Sequence, residues 1–168
     1  AKADLLTDMV GEFPELQGIM GRYYAKHDGM SDELAFAIED HYKPRFSGDD
    51  LPRNMAGICV ALADKLEILV GMFGIGQTPS GDKDPFALRR HAFGIVRILV
   101  QKNLDINLYE LIILTQEKMP EDIRHNTKND PAIINNFLLD RVRRYFSDQG
   151  NDYHAIESVV SPFGGTTP

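Results

Sequence analysis

The amino-acid sequence predicts an all-α fold in which amphipathic helices form a bundle. Apolar side chains recur at helical spacing along most of the chain, and the strict alternation typical of strands is nearly absent. The sequence also indicates where helices begin. Ser31, Asp84 and Asp130 are good N-cap residues, and Pro follows both Asp84 and Asp130. The stretch from Met55 to Leu69 is nearly apolar, which places its helix at the centre of the bundle.

Local signals set the predicted helix boundaries. Pro14 begins the second helix, and Ser31 caps the third, where Asp32 suits the positive end of the helix dipole. Pro44 forbids continuation of that third helix, and Lys102 with Asn103 interrupts a later one. Together these signals predict helices over about residues 2–10, 14–26, 32–42, 52–73, 85–101, 107–116, 131–148 and 152–159.

The helix predicted over 85–101 follows the clearest start signal in the chain. The Asp84 carboxylate can accept from the unpaired amides of the first turn, and Pro85 has a φ that suits a helix. Its predicted polar side carries Arg89, Arg90 and Arg97. Its predicted apolar side consists of Phe86, Leu88, Phe93, Val96, Leu99 and Val100.

The charge balance restricts how this chain could bind nucleic acid. Its 25 acidic residues outnumber 18 Lys and Arg, which gives a formal net charge of −7. We therefore expect no domain-wide attraction to RNA, only local contacts through small basic clusters. Two such clusters are present: Lys83, Arg89 and Arg90, and Arg141, Arg143 and Arg144. For the first cluster, contact with an RNA backbone and local salt bridges to Asp82 and Asp84 both remain open.

The loop before this cluster resembles the beginning of a phosphate-binding P-loop. Gly76 and Gly81 have P-loop spacing, but a P-loop continues with Lys and then Ser or Thr. Here Asp82, Lys83 and Asp84 follow, and two carboxylates would repel phosphates. The pattern therefore indicates an ordinary connection between helices.

The cysteine count, the hydropathy and the two ends of the sequence bear on the redox environment, on membrane insertion and on the extent of the protein. The single Cys59 excludes an internal disulfide and is compatible with a reducing cytosol, and its apolar surroundings predict a buried, inert thiol. No apolar run reaches the roughly 18 residues that a membrane span requires. The chain begins without Met and ends in a Gly- and Thr-rich tail, so we expect a piece of a longer protein.

Four segments of the sequence carry a specific resemblance to a known family. Residues 1–21, 39–45, 61–73 and 81–90 closely resemble the β subunit of the bacterial tetrameric glycyl-tRNA synthetase. The resemblance is collinear to about Leu104 and becomes looser from Ile106 onward. It implies three segments: an HD-like helical domain over 1–104, a helical extension packing on it over 105–160, and a linker-like tail over 161–168.

The resemblance also implies a function. Members of this family belong to a cytoplasmic, ATP- and Mg-dependent ligase that joins glycine to its tRNA. Amino-acid activation resides on the separate α subunit, and the β subunits supply tRNA binding and assembly. The implied partners are the α subunit, a second β subunit and tRNA-Gly, with no membrane. For this chain alone we expect no catalytic residue, no cofactor and no activity, and the tRNA-binding candidates are Lys83, Arg89 and Arg90.

A second resemblance is to metal-dependent phosphohydrolases of the HD type. Asp64, within Ala-Asp-Lys-Leu, is similar to the last Asp motif of that superfamily, and His41 has a plausible middle position. The metal-binding His-Asp dyad of that superfamily follows an apolar helical segment. His27 and Asp28 do not match it, because they precede a glycine in a polar turn. The dyad's place by helix order is near residues 1–4, where Lys2 would repel a metal. We therefore expect a degenerate site with Asp64 and His41 as remnants and no metal.

Each remnant also has a plainer interpretation. Asp64 could pair locally with Lys65, and His41 could be a partly exposed residue at a helix end. Two other functions stay open as alternatives: an active HD-type phosphohydrolase, and a helical bundle that binds only proteins.

Overall fold

The structure, a computed structural model, describes residues 1–124 and 130–164. It confirms the all-α prediction, since the described residues contain helices and no β-strand. The chain divides into two compact units, Ala1–Asp64 and Lys65–Pro168. This division reflects compactness, and the assignment of domains to 1–104, 105–160 and 161–168 stays a prediction.

The first unit is built from short helices. They are α1 (Asp8–Glu12), α2 (Ile19–His27), α3 (Asp32–Asp40) and the beginning of α4 (Met55–Gly74), with 3-10 turns at Ala3–Leu6 and Pro14–Leu16. The predicted helix over 2–10 is divided at Thr7, whose hydroxyl accepts from the Val10 amide at 3.4 Å and caps α1. The predicted helix over 14–26 is divided at Gly18, which has a φ of +80°.

Gly18 is required by its conformation and by its surroundings. A Cβ at this position would lie 2.9 Å from the Tyr42 ring. The buried Asp4 carboxylate accepts from the Gly18 amide at 2.6 Å and the Gly21 amide at 3.3 Å. Asp4 therefore satisfies amides at the start of α2 from a distant part of the sequence, which a local capping pattern does not predict.

Helix α3 begins where the sequence predicts. The Ser31 hydroxyl accepts from the Leu34 amide at 3.3 Å, which confirms Ser31 as its cap. The helix ends at Asp40, whose fully buried carboxylate contacts Arg53 and Lys43 in the segment that leads to α4. This ion-pair network joins the end of α3 to the beginning of the long helix.

The second unit contains the rest of α4 and five further helices among the residues described. They are α5 (Leu88–Gln101), α6 (Leu108–Lys118), α7 (Glu121–Arg124), α8 (Pro131–Asp148) and α9 (Tyr153–Val160). Asp130 caps α8 as predicted, since its carboxylate accepts from the Ala132 amide at 2.8 Å. Helix α8 packs on α5, where Tyr145 accepts from the Gln101 amide group at 3.2 Å.

The first residues of the predicted tail contact this unit. Ser161–Phe163 form a 3-10 turn, and the Phe163 carbonyl accepts from the Asn135 side chain at 2.9 Å. Residues 165–168 of the predicted tail lie outside the described residues. The same is true of residues 125–129, which precede α8 in the sequence.

Predictions of burial are wrong at four residues in or beside α4 and α5. Cys59 is exposed on α4 rather than buried. Arg97, predicted on the polar side of α5, is only 8% exposed, because α5 is buried around most of its circumference between Gly94 and Ile98. Phe86 and Val100, predicted on the apolar side, are exposed.

Of the helices that the structure describes, none is long and apolar enough to cross a bilayer.

Candidate nucleic-acid interface

The basic cluster follows a tight turn before α5. The backbone amide of Ser80 donates to the Lys83 carbonyl at 3.1 Å, and the Lys83 amide donates back to Ser80 at 2.9 Å. Gly81 within the turn has a φ of +50°. Its carbonyl accepts from the Arg89 guanidinium at 2.5 Å, so Arg89 ties the turn to the first turn of α5.

The start of α5 differs from the prediction. The helix begins at Leu88, three residues after Pro85, because Ala87 has a left-handed backbone with a φ of +54°. The Asp84 carboxylate still accepts from amides of the first turn, Leu88 at 2.8 Å and Arg89 at 3.0 Å. The chemistry of the predicted cap is therefore correct, but Asp84 provides it from outside the helix.

Among the residues that the structure describes, this arrangement leaves the cations of the cluster without acidic partners. Lys83 and Arg90 are exposed, and Arg89 is half-buried. Both oxygens of Asp84 accept from backbone amides. Within residues 1–124 and 130–164, none of the three cations forms an ion pair with Asp82 or Asp84. The salt bridges that the sequence left open are thus absent from this part of the chain, and the positive charge adds to that of the helix N-terminus.

The second basic cluster is divided by the structure. Arg143 contacts Glu157 at 2.8 Å and Asp140 at 3.1 Å, and Arg144 contacts Asp148 at 3.0 Å. Arg141 differs: it is half-buried, and its guanidinium carbon lies 4.7 Å from the centre of the Phe137 ring. Burial lowers the pKa of Arg141 below its usual value. The sequence grouped Arg141 with Arg143 and Arg144 and did not indicate its stacking on Phe137.

The residues predicted as remnants of a metal site have other partners. Asp64 forms an ion pair with Lys2, whereas its predicted local partner was Lys65. His41 is completely buried, which corrects its predicted partial exposure, and its Nδ1 lies 2.6 Å from the Ile38 carbonyl oxygen. Burial lowers the pKa of His41 below 6.5, so the ring is neutral at pH 7.

The residues present do not fit a divalent metal. The Lys2 ammonium already pairs with the Asp64 carboxylate. Its positive charge would repel a metal ion at that position. His27 and Asp28, the literal dyad, are exposed at the end of α2. In the part of the chain that the structure describes, no three His, Cys, Asp or Glu side chains are grouped so that they could hold a metal ion.

Comparisons with known proteins agree with the resemblance seen in the sequence. The glycyl-tRNA synthetase beta subunit family matches residues 1–161. The chain is 58% identical over 161 residues to the glycine–tRNA ligase beta subunit of Thiobacillus denitrificans, and 60% identical over 161 residues to that of Polaromonas naphthalenivorans. It is 57% identical over 172 residues to that of Nitrosomonas europaea.

These alignments cover 96% of this chain but only 22–24% of each relative, so the chain spans less than a quarter of the curated relatives it matches. The match to the family nevertheless extends through both compact units. The chain belongs to the glycyl-tRNA synthetase beta subunit family.

Proposed function

We propose that this chain contributes tRNA binding and subunit architecture to a glycine–tRNA ligase and performs no chemistry itself. One observation carries the proposal: Lys83 and Arg90 are exposed beside the start of α5 and have no acidic partner among the described residues. Two other surface cations, Lys26 and Arg144, each have a carboxylate partner. Unpaired cations on an exposed turn can contact an RNA backbone without first breaking a salt bridge.

The complete enzyme that we propose has three macromolecular partners for this chain. They are the α subunit that activates glycine, a second β subunit and tRNA-Gly, and the assembly works in the cytoplasm. ATP and Mg serve the activation step on the α subunit, so this chain supplies no ligand to them. Its part is to hold the basic turn on a rigid helical support.

The first test of this proposal changes Lys83 and Arg90 together to Ala in the complete enzyme. We expect weaker tRNA-Gly binding and a shallower dependence of log K on log salt, by up to roughly one unit for each lost phosphate contact. Glycine activation without tRNA should not change, since that step belongs to the other subunit. Binding measured across a salt series, together with glycine-dependent exchange of pyrophosphate into ATP, would check both expectations.

The matched control replaces Lys26 and Arg124 with Ala. It removes the same formal charge, but each of these cations has a carboxylate partner, Asp32 or Glu121. If the Lys83 and Arg90 variant remained folded and bound tRNA with the affinity and salt dependence of the control, the basic turn would not be a tRNA contact. The pure protein-interaction bundle would then be the better proposal.

For the alternative of an HD-type phosphohydrolase, the ion pair between Lys2 and Asp64 is the opposing observation. We propose that the protein binds no transition metal tightly. After incubation with Mn²⁺, Co²⁺ or Zn²⁺ and removal of the unbound ion, elemental analysis should find well under one metal ion per chain. One equivalent of metal that is lost on replacing Asp64 with Ala would contradict this proposal and revive the phosphohydrolase.

A further inference from the structure

Helix α6 is more apolar than its packing requires. Six of its first seven residues, over 108–114, are apolar. Of the residues of α6, all of which the structure describes, only Ile112 is buried, whereas Tyr109, Ile113 and Leu114 are exposed. Tyr109 and Ile113 lie one helical turn apart on the same side of the helix. An apolar side that the described chain leaves uncovered indicates an interaction surface.

The beginning of α6 borders an open groove in the second unit. The groove has a volume of about 410 Å³, and its apolar lining includes Ile106, Tyr109, Leu139 of α8 and Phe163 of the 3-10 turn. Leu139 is buried, whereas Ile106, Tyr109 and Phe163 are exposed. This volume lies within the range of roughly 300–1,000 Å³ that is typical of ligand pockets, so the groove can receive large side chains of a partner.

Hydrogen bonds hold the walls of this groove in place. Asn135 on α8 is only 4% exposed, and its side-chain amide donates to the Phe163 carbonyl at 2.9 Å. The Phe163 residue is nonetheless 68% exposed. The Asn107 side chain accepts from the Tyr109 amide at 3.0 Å and caps α6. Both exposed aromatic residues therefore have an ordered backbone, so docking against them costs less conformational freedom.

Carboxylates beside the groove restrict what can occupy it. Asp105 lines the groove, Glu110 follows Tyr109 on α6, and both carboxylates are exposed. Counting only residues whose positions are described, neither carboxylate forms an ion pair. They would repel the phosphates of RNA, and a symmetric pairing of two copies would bring the same carboxylates together. The charges instead favour a polypeptide surface that carries Lys or Arg beside its apolar side chains.

We propose that this groove docks a segment of the same β subunit, outside the 168 residues of this chain, that carries Lys or Arg beside apolar side chains. The chain spans less than a quarter of its curated relatives, so most of such a subunit is available to cover the groove. Tyr109, Ile113 and Phe163 offer far less than the roughly 800 Å² per partner of a standard interface between separate proteins. A segment of the same polypeptide needs less area, because its effective concentration is high. This inference rests on the architectural part of the proposed function and is independent of tRNA binding.

The decisive variant is Tyr109→Ser in the complete enzyme, studied by hydrogen exchange and mass spectrometry. We expect amides of at least one β-subunit segment outside this chain to exchange about tenfold faster, because the docked segment opens more often. Amides of α8 should keep their protection, which shows that the second unit remains folded. Tyr153→Ser is the matched control, since Tyr153 is a more exposed tyrosine on α9 and does not line the groove. Equal exchange outside this chain in the two variants would overturn the proposal.

A charge reversal tests the chemistry of the docked segment. Asp105→Lys should increase exchange in the same segment as Tyr109→Ser, most strongly at low salt, because like charges then face each other. It also decides the matter if Tyr109→Ser lowers the protection of α8, since it leaves the apolar lining intact. Asp122→Lys is the control, because Asp122 is exposed on α7 and does not line the groove. An effect of Asp105→Lys no larger than that of the control would contradict a basic segment.

Other occupants of the groove would give different results with Tyr109→Ser. Faster exchange confined to the α subunit would assign the groove to that subunit. Dissociation of paired β subunits, without faster exchange elsewhere in β, would assign it to a second copy. Weaker tRNA-Gly binding without faster exchange would assign it to an unstacked base. Each of these three results overturns the proposal.

The two proposals fail differently. If Tyr109→Ser and Asp105→Lys match their controls while the Lys83 and Arg90 variant binds tRNA weakly, the docking groove is wrong and tRNA binding by the basic turn stands. If the Lys83 and Arg90 variant matches its own control, tRNA binding by the basic turn is wrong, whatever the groove variants show.

Discussion

Replacing Asp40 with Ala is expected to lower the free energy of unfolding by roughly 3–5 kcal/mol, the range for removing one partner of a buried ion pair. Its carboxylate is fully buried and accepts from the Arg53 amide at 2.9 Å, from Arg53 Nε at 2.8 Å and from Arg53 Nη2 at 2.9 Å. Lys43 Nζ lies 3.0 Å away. Without Asp40, the half-buried Lys43 and the Arg53 amide lose their acceptor, and the connection from α3 to α4 loosens.

Urea unfolding of the chain at pH 7 would measure this effect. Arg144→Ala is the control, because its pair with Asp148 is solvent-exposed and should contribute less than about 1 kcal/mol. Equal losses in the two variants would show that the Asp40 network does not stabilise the fold.

The same carboxylate gives a defined pH dependence. Burial by itself raises the pKa of Asp40, but hydrogen bonds from Arg53 and Lys43 outweigh it and hold the pKa below 3.8. Because the pKa is lower in the folded state, the stabilisation is complete well above pH 4 and is lost as the pH falls through the folded pKa. The difference in unfolding free energy between the native chain and Asp40→Asn should therefore shrink between pH 7 and pH 3. A difference that stayed constant over this range would contradict the assignment.

Replacing Leu62 with Ala is expected to lower the free energy of unfolding by roughly 2–5 kcal/mol. Leu62 is 7% exposed on α4, beside the fully buried Ala61 and one helical turn before Leu66. Removing its isobutyl group forfeits transfer free energy and leaves a cavity that neighbouring side chains cannot completely fill. Asp84→Ala should lower the unfolding free energy less, by about 1 kcal/mol, through loss of the cap on α5.

Denaturant unfolding of the variants would establish the order. Met55→Ala is the control in the same helix, because Met55 is 59% exposed and its truncation should change stability by about 0.5 kcal/mol or less. A larger loss for Asp84→Ala than for Leu62→Ala would show that the buried side of α4 is misplaced.

The sequence predicted the first basic cluster from its positions, whereas the structure separates the members of the second. Lys83, Arg89 and Arg90 are close together along the chain, so their clustering follows from their positions alone. Arg141 stacks on Phe137 of the same helix and forms no ion pair among the described residues. Sequence grouping instead placed Arg141 with Arg143 and Arg144, whose charges are neutralised by acidic side chains on α8 and α9.

The sequence by itself determined the all-α class, the caps at Ser31 and Asp130, and the long apolar helix α4. These features depend on neighbours within a few residues, because helical hydrogen bonds and caps are local. Only the tertiary structure decided that His41 is buried, that Lys2 pairs with Asp64 and that Asp4 caps α2. Those contacts join residues far apart in the chain, and their free energy depends on burial and on the partner's charge, which no local pattern encodes.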